Sequence, residues 1–343
     1  MNRFPLPRDP KTIWGLLQDE SPKTRLMFVL EKALNLFNLS ATFSRHSDVP
    51  LPLMALRGIE SITSTLYFVE TGKKNTFLAE IAPVIFLQSN CIASSGRDEF
   101  VTDLMKYIQV DSYGICLHNK DLPLHRMYLH FKTYIDHLYG QELLIFMARY
   151  KFIIAIENGI CSDYMTEKLW RAIEIGVVPI YYGSPLVRDW LPNNKSAILV
   201  EDFATPELLS QHLHYLLQND TAYEEYLKHK TLGDITNQKL IDELTIRPYQ
   251  TSLSKVIHEF ECFVCQRLHD KKETSVNIVT KKHYDCMLPT QLTRSVNNSD
   301  SKEFLEVIYN TYMFNVRRKI DNLYEEILDP DKTPRCSNTS WDW

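Results

Sequence analysis

The chain has 343 residues, enough for two domains with cores of their own. Hydrophobic residues make up 44% and charged residues 24%, the balance of a globular protein and not of a disordered one. A net charge of −5 argues against nucleic acid or an anionic membrane surface as the main partner, and no run of 18 apolar residues is present to span a bilayer.

The N-terminal stretch "MNRFPLPRDPKTIW" lacks the apolar core of a signal peptide. Through residue 82 the pattern is irregular, with short strand candidates "NLSATFS" and "TLYFV" between polar turns. From Pro83 the pattern changes to strands followed by helices. "VIFLQSN" is a continuous apolar run, as a strand buried on both faces should be, and "DEFVTDLMKYI" behind it is helical. "VDSYG" reads as a short strand, and "LLIFMARYKFIIAI" passes from helix to strand. The helix "EKLWRAIEI" is stopped by Gly176 before the strand "VVPIYYG". After the short strand "KSAILV", Thr205 and Pro206 supply an N-cap and first-turn pair for "PELLSQHLHYLLQ". This alternation predicts an α/β fold with a parallel sheet covered on both faces. Beyond residue 267 a charged loop leads to a long amphipathic helix whose predicted apolar stripe is Phe304, Ile308, Tyr312, Val316, Ile320, Leu323 and Ile327. The pattern therefore divides at residues 1–82, 83–267 and 268–343.

Ligands of an open parallel sheet bind beyond the carboxyl ends of its strands. Two such ends carry a cation where a helix begins. Ser95 and Asp98 have capping-box spacing, which places Arg97 in a first turn, and Lys168 holds the matching place near Asp163 or Thr166. A cation there opposes the helix dipole and costs about 0.3–1 kcal/mol. Either residue alone reads as a paired or solvated surface cation. Both, at matching positions on two βα units, make sense if a phosphate or diphosphate sits between them. No G-x-G-x-x-G and no G-x-x-x-x-G-K-[ST] is present, which argues against a dehydrogenase and a P-loop kinase. Glu167 adds a carboxylate suited to a ribose diol, so the set points to a nucleotide-sugar site.

The stretch "YKFIIAIENGICSDYMTEKLWRAIEIGVVPIYYGSP" resembles the donor-binding motif of the α1,3/4-fucosyltransferase family, with E-N-x5-Y-x-T-E-K, a helix and G-x-V-P-x-x-x-G. "QSNCIASSGRDEF" resembles the preceding family segment, and "DESPK" with "FNLSATFSRHSDVPLPL" its acceptor-side motif. The wording "DSYGICLHNKDLP", "RDWLPNNKSAILV" and "EFECFVC" is similar to the divergent subgroup of EMI-domain protein O-fucosyltransferases. The match runs from about Pro5 to Arg267.

The resemblance implies a GT-B-type pair of Rossmann-like domains, with the donor held by the C-terminal one. It implies inverting transfer of L-fucose from GDP-β-L-fucose to a glycoprotein hydroxyl, either Ser/Thr of a protein domain or GlcNAc of a glycan. Arg97, Asn158, Tyr164, Glu167 and Lys168 fall on donor-binding positions, Ser89 and Asn90 lie close to the nucleotide, and Glu20 falls on the position of the catalytic base. No metal or other cofactor is then required, and the one D-x-D, Asp329-Pro-Asp331, reads as a loop. Family members carry an anchor, a stem and a first strand ahead of where this chain starts. A partial N-terminal domain and, in full-length form, a type II protein of the Golgi or endoplasmic reticulum lumen are therefore expected. Two rivals stay open: a catalytically silent GDP-sugar-binding protein, and a glycosyltransferase for another nucleotide sugar.

Seven cysteines and five N-x-S/T sequons, at Asn38, Asn194, Asn219, Asn297 and Asn338, together favour an oxidising, glycosylating compartment. By the resemblance Cys262 and Cys265 are expected in disulfides; the rival is zinc, since Cys262-x2-Cys265 and His283-x2-Cys286 have ribbon-like spacing.

Overall fold

The computed structural model describes residues 8–9, 11–23, 25–91, 93, 95–122, 140–269, 277–287 and 299–328, with side chains of the last segment described from residue 310. The chain forms two compact units: Met1–Pro52 with Val256–Trp343, and Leu53–Lys255. Both are α/β with parallel strands, as a GT-B-type pair of Rossmann-like domains requires. No helix among the described residues is long and apolar enough to cross a membrane.

The first unit pairs β1 (Gly15–Gln18) in parallel with β2 (Leu39–Thr42), Gly15 opposite Leu39 and Gln18 opposite Thr42. All four residues of β2 are buried. Its core is aromatic: Tyr284 lies 5.6 Å from Phe28 and 4.9 Å from Phe43 between ring centroids, and Trp14 lies 6.3 Å from Phe37. Segments far apart in the chain are stitched here, Val279 N–H donating to Phe37 O (2.9 Å) and Ser44 Oγ to Lys282 O (2.8 Å). A Cβ on Gly15 would come within 2.9 Å of the Phe260 ring, so glycine makes room for the helix Leu253–His269. In the helix Ser299–Leu328 the buried stripe is Met313, Val316, Ile320 and Leu323. Tyr312, expected on that stripe, is 44% exposed, because the spacing of three, four and three from Met313 leaves it one step off the face.

The second unit is a five-stranded parallel sheet in the order β4-β3-β5-β6-β7, with β3 (Val84–Leu87), β4 (Val110–Tyr113), β5 (Phe152–Ile156), β6 (Val178–Tyr182) and β7 (Ile198–Leu199). Alternation along β5 assigns its faces. Phe152, Ile154 and Ile156 pack with α1 (Arg97–Leu104) and α4 (Pro206–Gln218) through Val101, Leu104, Leu209 and Leu213. Ile153 packs with α2 (Gln141–Met147) and Ala155 with α3 (Glu167–Ile175) and α5 (Gln238–Ile246) on the other side. The candidate strand "TLYFV" forms no strand; Phe68 N–H instead closes a turn on Thr65 O at 3.1 Å. Every βα unit expected from Pro83 to Gln218 is present within a few residues. Within this unit the first strand is β3, and the order doubles back between β3 and β5; that crevice is the topological switch point.

The disulfide expectation is corrected. Cys262 and Cys265 are free, exposed thiols three residues apart on one helix. Among the described residues Cys91 is bonded to Cys116, and Cys161 and Cys286 are each disulfide-bonded. With Cys286 so engaged, its thiolate is not available for a zinc ribbon. Asp329, Asp331 and Cys336, and the sequons at Asn297 and Asn338, lie outside the described residues. Asn194 is exposed, Asn219 caps a helix by accepting from Ala222 N–H (3.0 Å), and Asn38 donates its amide to Asn277 O (3.1 Å).

Gly176 ends α3 at φ 66°, and an added Cβ would meet Phe68 Cδ2 at 2.4 Å. Gly176→Ala should therefore destabilise the second unit by about 1–3 kcal/mol, read as a lowered denaturation midpoint in urea. Alkylation of the native, non-reduced protein followed by peptide mapping should label Cys262 and Cys265 and leave Cys91 and Cys116 unlabelled.

Candidate donor site

The carboxyl ends of β3, β5 and β6 converge on a cluster of charged side chains within the second unit. β5 ends an unbroken apolar run with Glu157, which is fully buried. Its N–H donates to Tyr182 O (2.9 Å), extending the pairing with β6 by one residue. Gly183 follows β6, and a Cβ there would come within 2.7 Å of Glu157 Cγ. Glycine at 183 thus leaves space for that carboxylate.

The loop from Glu157 to Thr166 is pinned internally. Asp163 adopts φ 66°, a conformation that aspartate tolerates better than most residues. Its N–H donates to Ser184 Oγ (2.9 Å), and its carboxylate accepts from Trp190 Nε1 (2.9 Å). Tyr164 is 2% exposed and its hydroxyl donates to Asn158 Oδ1 (3.1 Å), so two expected donor residues brace one another across the loop. Thr166 is the N-cap of α3; its hydroxyl accepts from Lys168 N–H (3.4 Å) and donates to Glu157 Oε2 (2.8 Å). Thr166 N–H donates to Glu157 Oε1 (2.7 Å).

Lys168 Nζ donates to Thr166 Oγ1 (2.9 Å), Glu167 Oε1 (3.2 Å) and Glu157 Oε2 (3.3 Å). Burial alone would lower the ammonium, but Glu157 and Glu167 outweigh it and hold Lys168 above its ordinary value. Burial pushes the Glu157 carboxyl up, and Lys168 recovers only part of the shift. For Glu167 burial acts upward too, but Lys168 and Arg171 prevail and keep it below the usual carboxylate range.

Arg97 is the first residue of α1 and 1% exposed. It does not point outward as a free first-turn cation. Its guanidinium donates to Asn90 O (2.6 Å) and to Ile156 O (3.1 Å), and its Nε lies 3.6 Å from Asp98 Oδ1. Burial lowers the Arg97 guanidinium from its ordinary value against the pull of Asp98 and Glu157. The capping box also dissolves: Gly96 is the N-cap at φ 65°, and Ser95 Oγ donates to Glu157 O (2.6 Å) instead. The competing hydrogen bond to a buried carbonyl takes the hydroxyl. Ser89 and Asn90 are exposed in the loop after β3, which the Cys91–Cys116 disulfide ties to the loop after β4.

Arg97, Asn158, Tyr164, Glu167 and Lys168 thus surround one group of strand ends, with Asn90 joined through its carbonyl and Ser89 beside it. Pattern reasoning missed Glu157, and it read Ser95 and Thr166 only as helix starts. The available signal for Glu157 was a carboxylate directly ending a five-residue apolar strand, where a charged group needs a partner. Glu20 belongs to the first unit, immediately beyond β1. Its carboxylate accepts from Ser21 N–H (2.9 Å), and its backbone carbonyl accepts from the buried Tyr284 hydroxyl (2.7 Å). At the opposite end of the sheet, a cavity of about 460 Å³ is lined by Ala82, Asp111, Asn119 and Lys120. Two of its charges pair with one another, Lys120 Nζ lying 2.8 Å from Asp111 Oδ2.

The family model described as glycosyltransferase family 10 (fucosyltransferase) C-term matches residues 79–283. The chain belongs to this family. It is 43% identical over 271 residues to GDP-fucose protein O-fucosyltransferase 3 of Xenopus laevis, covering 78% of this chain and 56% of the relative. It is 43% identical over 293 residues to alpha-(1,3)-fucosyltransferase B of Drosophila melanogaster, covering 83% and 64%. The chain therefore spans less than two thirds of the length of these relatives. A solved alpha1,3-fucosyltransferase with GDP-fucose is 19% identical over 78% of each chain, with a TM-score of 0.47.

Proposed function

We propose that this glycosyltransferase family 10 chain transfers L-fucose from GDP-fucose to a hydroxyl of a glycoprotein with inversion. The observation that carries this reading is the charged cluster at the strand ends, which lies inside the segment matched by the family model. Lys168 meets the diphosphate, with the first N–H groups of α3 beside it. Glu167 and Asn158 orient the sugar and ribose hydroxyls, and Tyr164 closes the loop over them. Arg97 stabilises the leaving GDP through its charge, with two of its N–H groups held by the carbonyls of Asn90 and Ile156.

Glu20 takes the acceptor proton as the general base. The names of the relatives support an acceptor hydroxyl on protein Ser/Thr or on a glycan. The disulfide-bonded cysteines support the lumen of the endoplasmic reticulum or Golgi as the compartment. Charge stabilisation comes from side chains and helix N-termini, so the proposed chemistry runs without a metal.

The direct test is mass spectrometry of an EMI-type protein domain and a GlcNAc-terminated glycan incubated with GDP-fucose; a gain of one fucose on neither would overturn the proposal. Lys168→Ala should weaken GDP by about 1.5–3 kcal/mol in calorimetry while leaving guanosine unchanged, because the lost contact is charge-assisted and directed at phosphate. Equal losses for both ligands would remove Lys168 from the diphosphate. Glu20→Gln keeps side-chain size but cannot accept a proton. Turnover should fall about 10²–10⁴-fold with GDP affinity within about twofold. Normal turnover would remove Glu20 from the mechanism.

A further inference from the structure

Glu157 has no place in the reaction above. It is fully buried, reaches no solvent, and sits behind Lys168 where a sugar donor does not need a carboxylate. Six charges meet there: Arg97 and Asp98 from α1, Lys168, Glu167 and Arg171 from α3, and Glu157 from the end of β5; Tyr181 faces Glu157 from β6. Three positive and three negative groups leave the resting cluster formally neutral. All three Lys168 ammonium contacts are internal. An arriving diphosphate must therefore compete for that ammonium, and the longest contact, to Glu157 at 3.3 Å, is the weakest held.

We propose that Glu157 is a positioning residue that sets phosphate affinity: it holds Lys168 and the Thr166 cap in place and acts as the internal counterion that GDP displaces on entry and that reclaims Lys168 on release. This inference rests on the reading of the site as a GDP-sugar site. The carboxylate does double duty. Its bonds to Thr166 N–H and Oγ fix the start of α3, and its charge keeps the site from retaining a diphosphate after transfer. A buried negative charge a few ångströms from the bound anion opposes binding in proportion to its charge.

The test uses Glu157→Gln in the full chain, with calorimetry against GDP and guanosine. Glutamine keeps the acceptor for Thr166 N–H and removes the charge. GDP should bind about tenfold tighter, guanosine should be unchanged, and turnover should fall because release of GDP becomes slower. A second readout needs no variant. Burial raises the Glu157 carboxyl, so its protonation on lowering pH mimics the substitution. GDP affinity of the unaltered chain should rise as pH falls through that raised range, beyond the change seen in Glu157→Gln, where only the phosphate itself titrates. GDP affinity that is unchanged or lower in a folded Glu157→Gln chain would overturn the proposal and leave Glu157 a scaffold residue. If the variant does not fold, a flat pH response of the unaltered chain overturns it equally. An unaltered chain that binds no GDP at all would instead sink the donor-site reading, and this inference with it.

Discussion

A guanidinium buried between two parallel strand ends is the constraint on which the second unit's site depends. Arg97 donates to Asn90 O beyond β3 and to Ile156 O at the end of β5, the two strands that flank the topological switch point. Those strands pair only through Val84–Phe152 and Ile85–Ile153, so they diverge before their carboxyl ends. Without the arginine, Ile156 O at the buried end of β5 would lose this donor, while Asn90 O would keep a 3.3 Å contact from Gln88 Nε2. Leaving a buried carbonyl unsatisfied costs about 1–3 kcal/mol. Burying the cation is itself expensive, and Asp98 with Glu157 offsets that cost electrostatically. Arginine suits the position because its planar fork reaches two carbonyls and its charge persists when its pKa is lowered.

Glu157 follows from the same arrangement. Its presence near Arg97 makes a carboxylate tolerable inside the sheet, and its hydrogen bonds to Thr166 fix where α3 begins. Lys168 then falls within the first turn of α3, over that carboxylate. Each group in the cluster is acceptable only because the others are present. A cluster of this kind titrates as a unit, and removing one member shifts the rest.

Buried cations elsewhere in the unit solve a different problem. Lys74 donates to Tyr150 O (2.9 Å) and Gly176 O (2.6 Å), and Lys230 donates to Ser61 O (3.0 Å) and Ser64 O (2.8 Å). These lysines satisfy carbonyls at turns and helix ends. Burial pushes Lys230 down to about 7, whereas Lys168, beside two carboxylates, is held above its ordinary value. Among these lysines, Lys74 and Lys230 are buried against carbonyls, whereas Lys168 is half-buried and lies in a group of charges at the strand ends.

The sequence by itself determined the βα units from Pro83 to Gln218, because each depends on local signals. Continuous apolar runs mark the strands, Thr166 and Thr205 cap their helices, and Gly176 ends one with a positive φ. It also determined the family, since a long motif with fixed spacing lies in one stretch of chain. The tertiary structure alone decided what the motif's cations touch. Arg97 and Lys168 look free in a linear pattern, yet their partners are Asn90 O, Ile156 O and Glu157, brought close only by strand pairing. It alone decided that Ser95 serves Glu157 O and not its own helix, because a hydroxyl prefers whichever buried acceptor lacks a donor. It also decided that residues 256–343 cluster with residues 1–52, and that Cys91 pairs with Cys116 while Cys262 and Cys265 stay free. Those outcomes depend on which distant segments share a core, and hydrophobic periodicity records only that a face is buried, not what buries it.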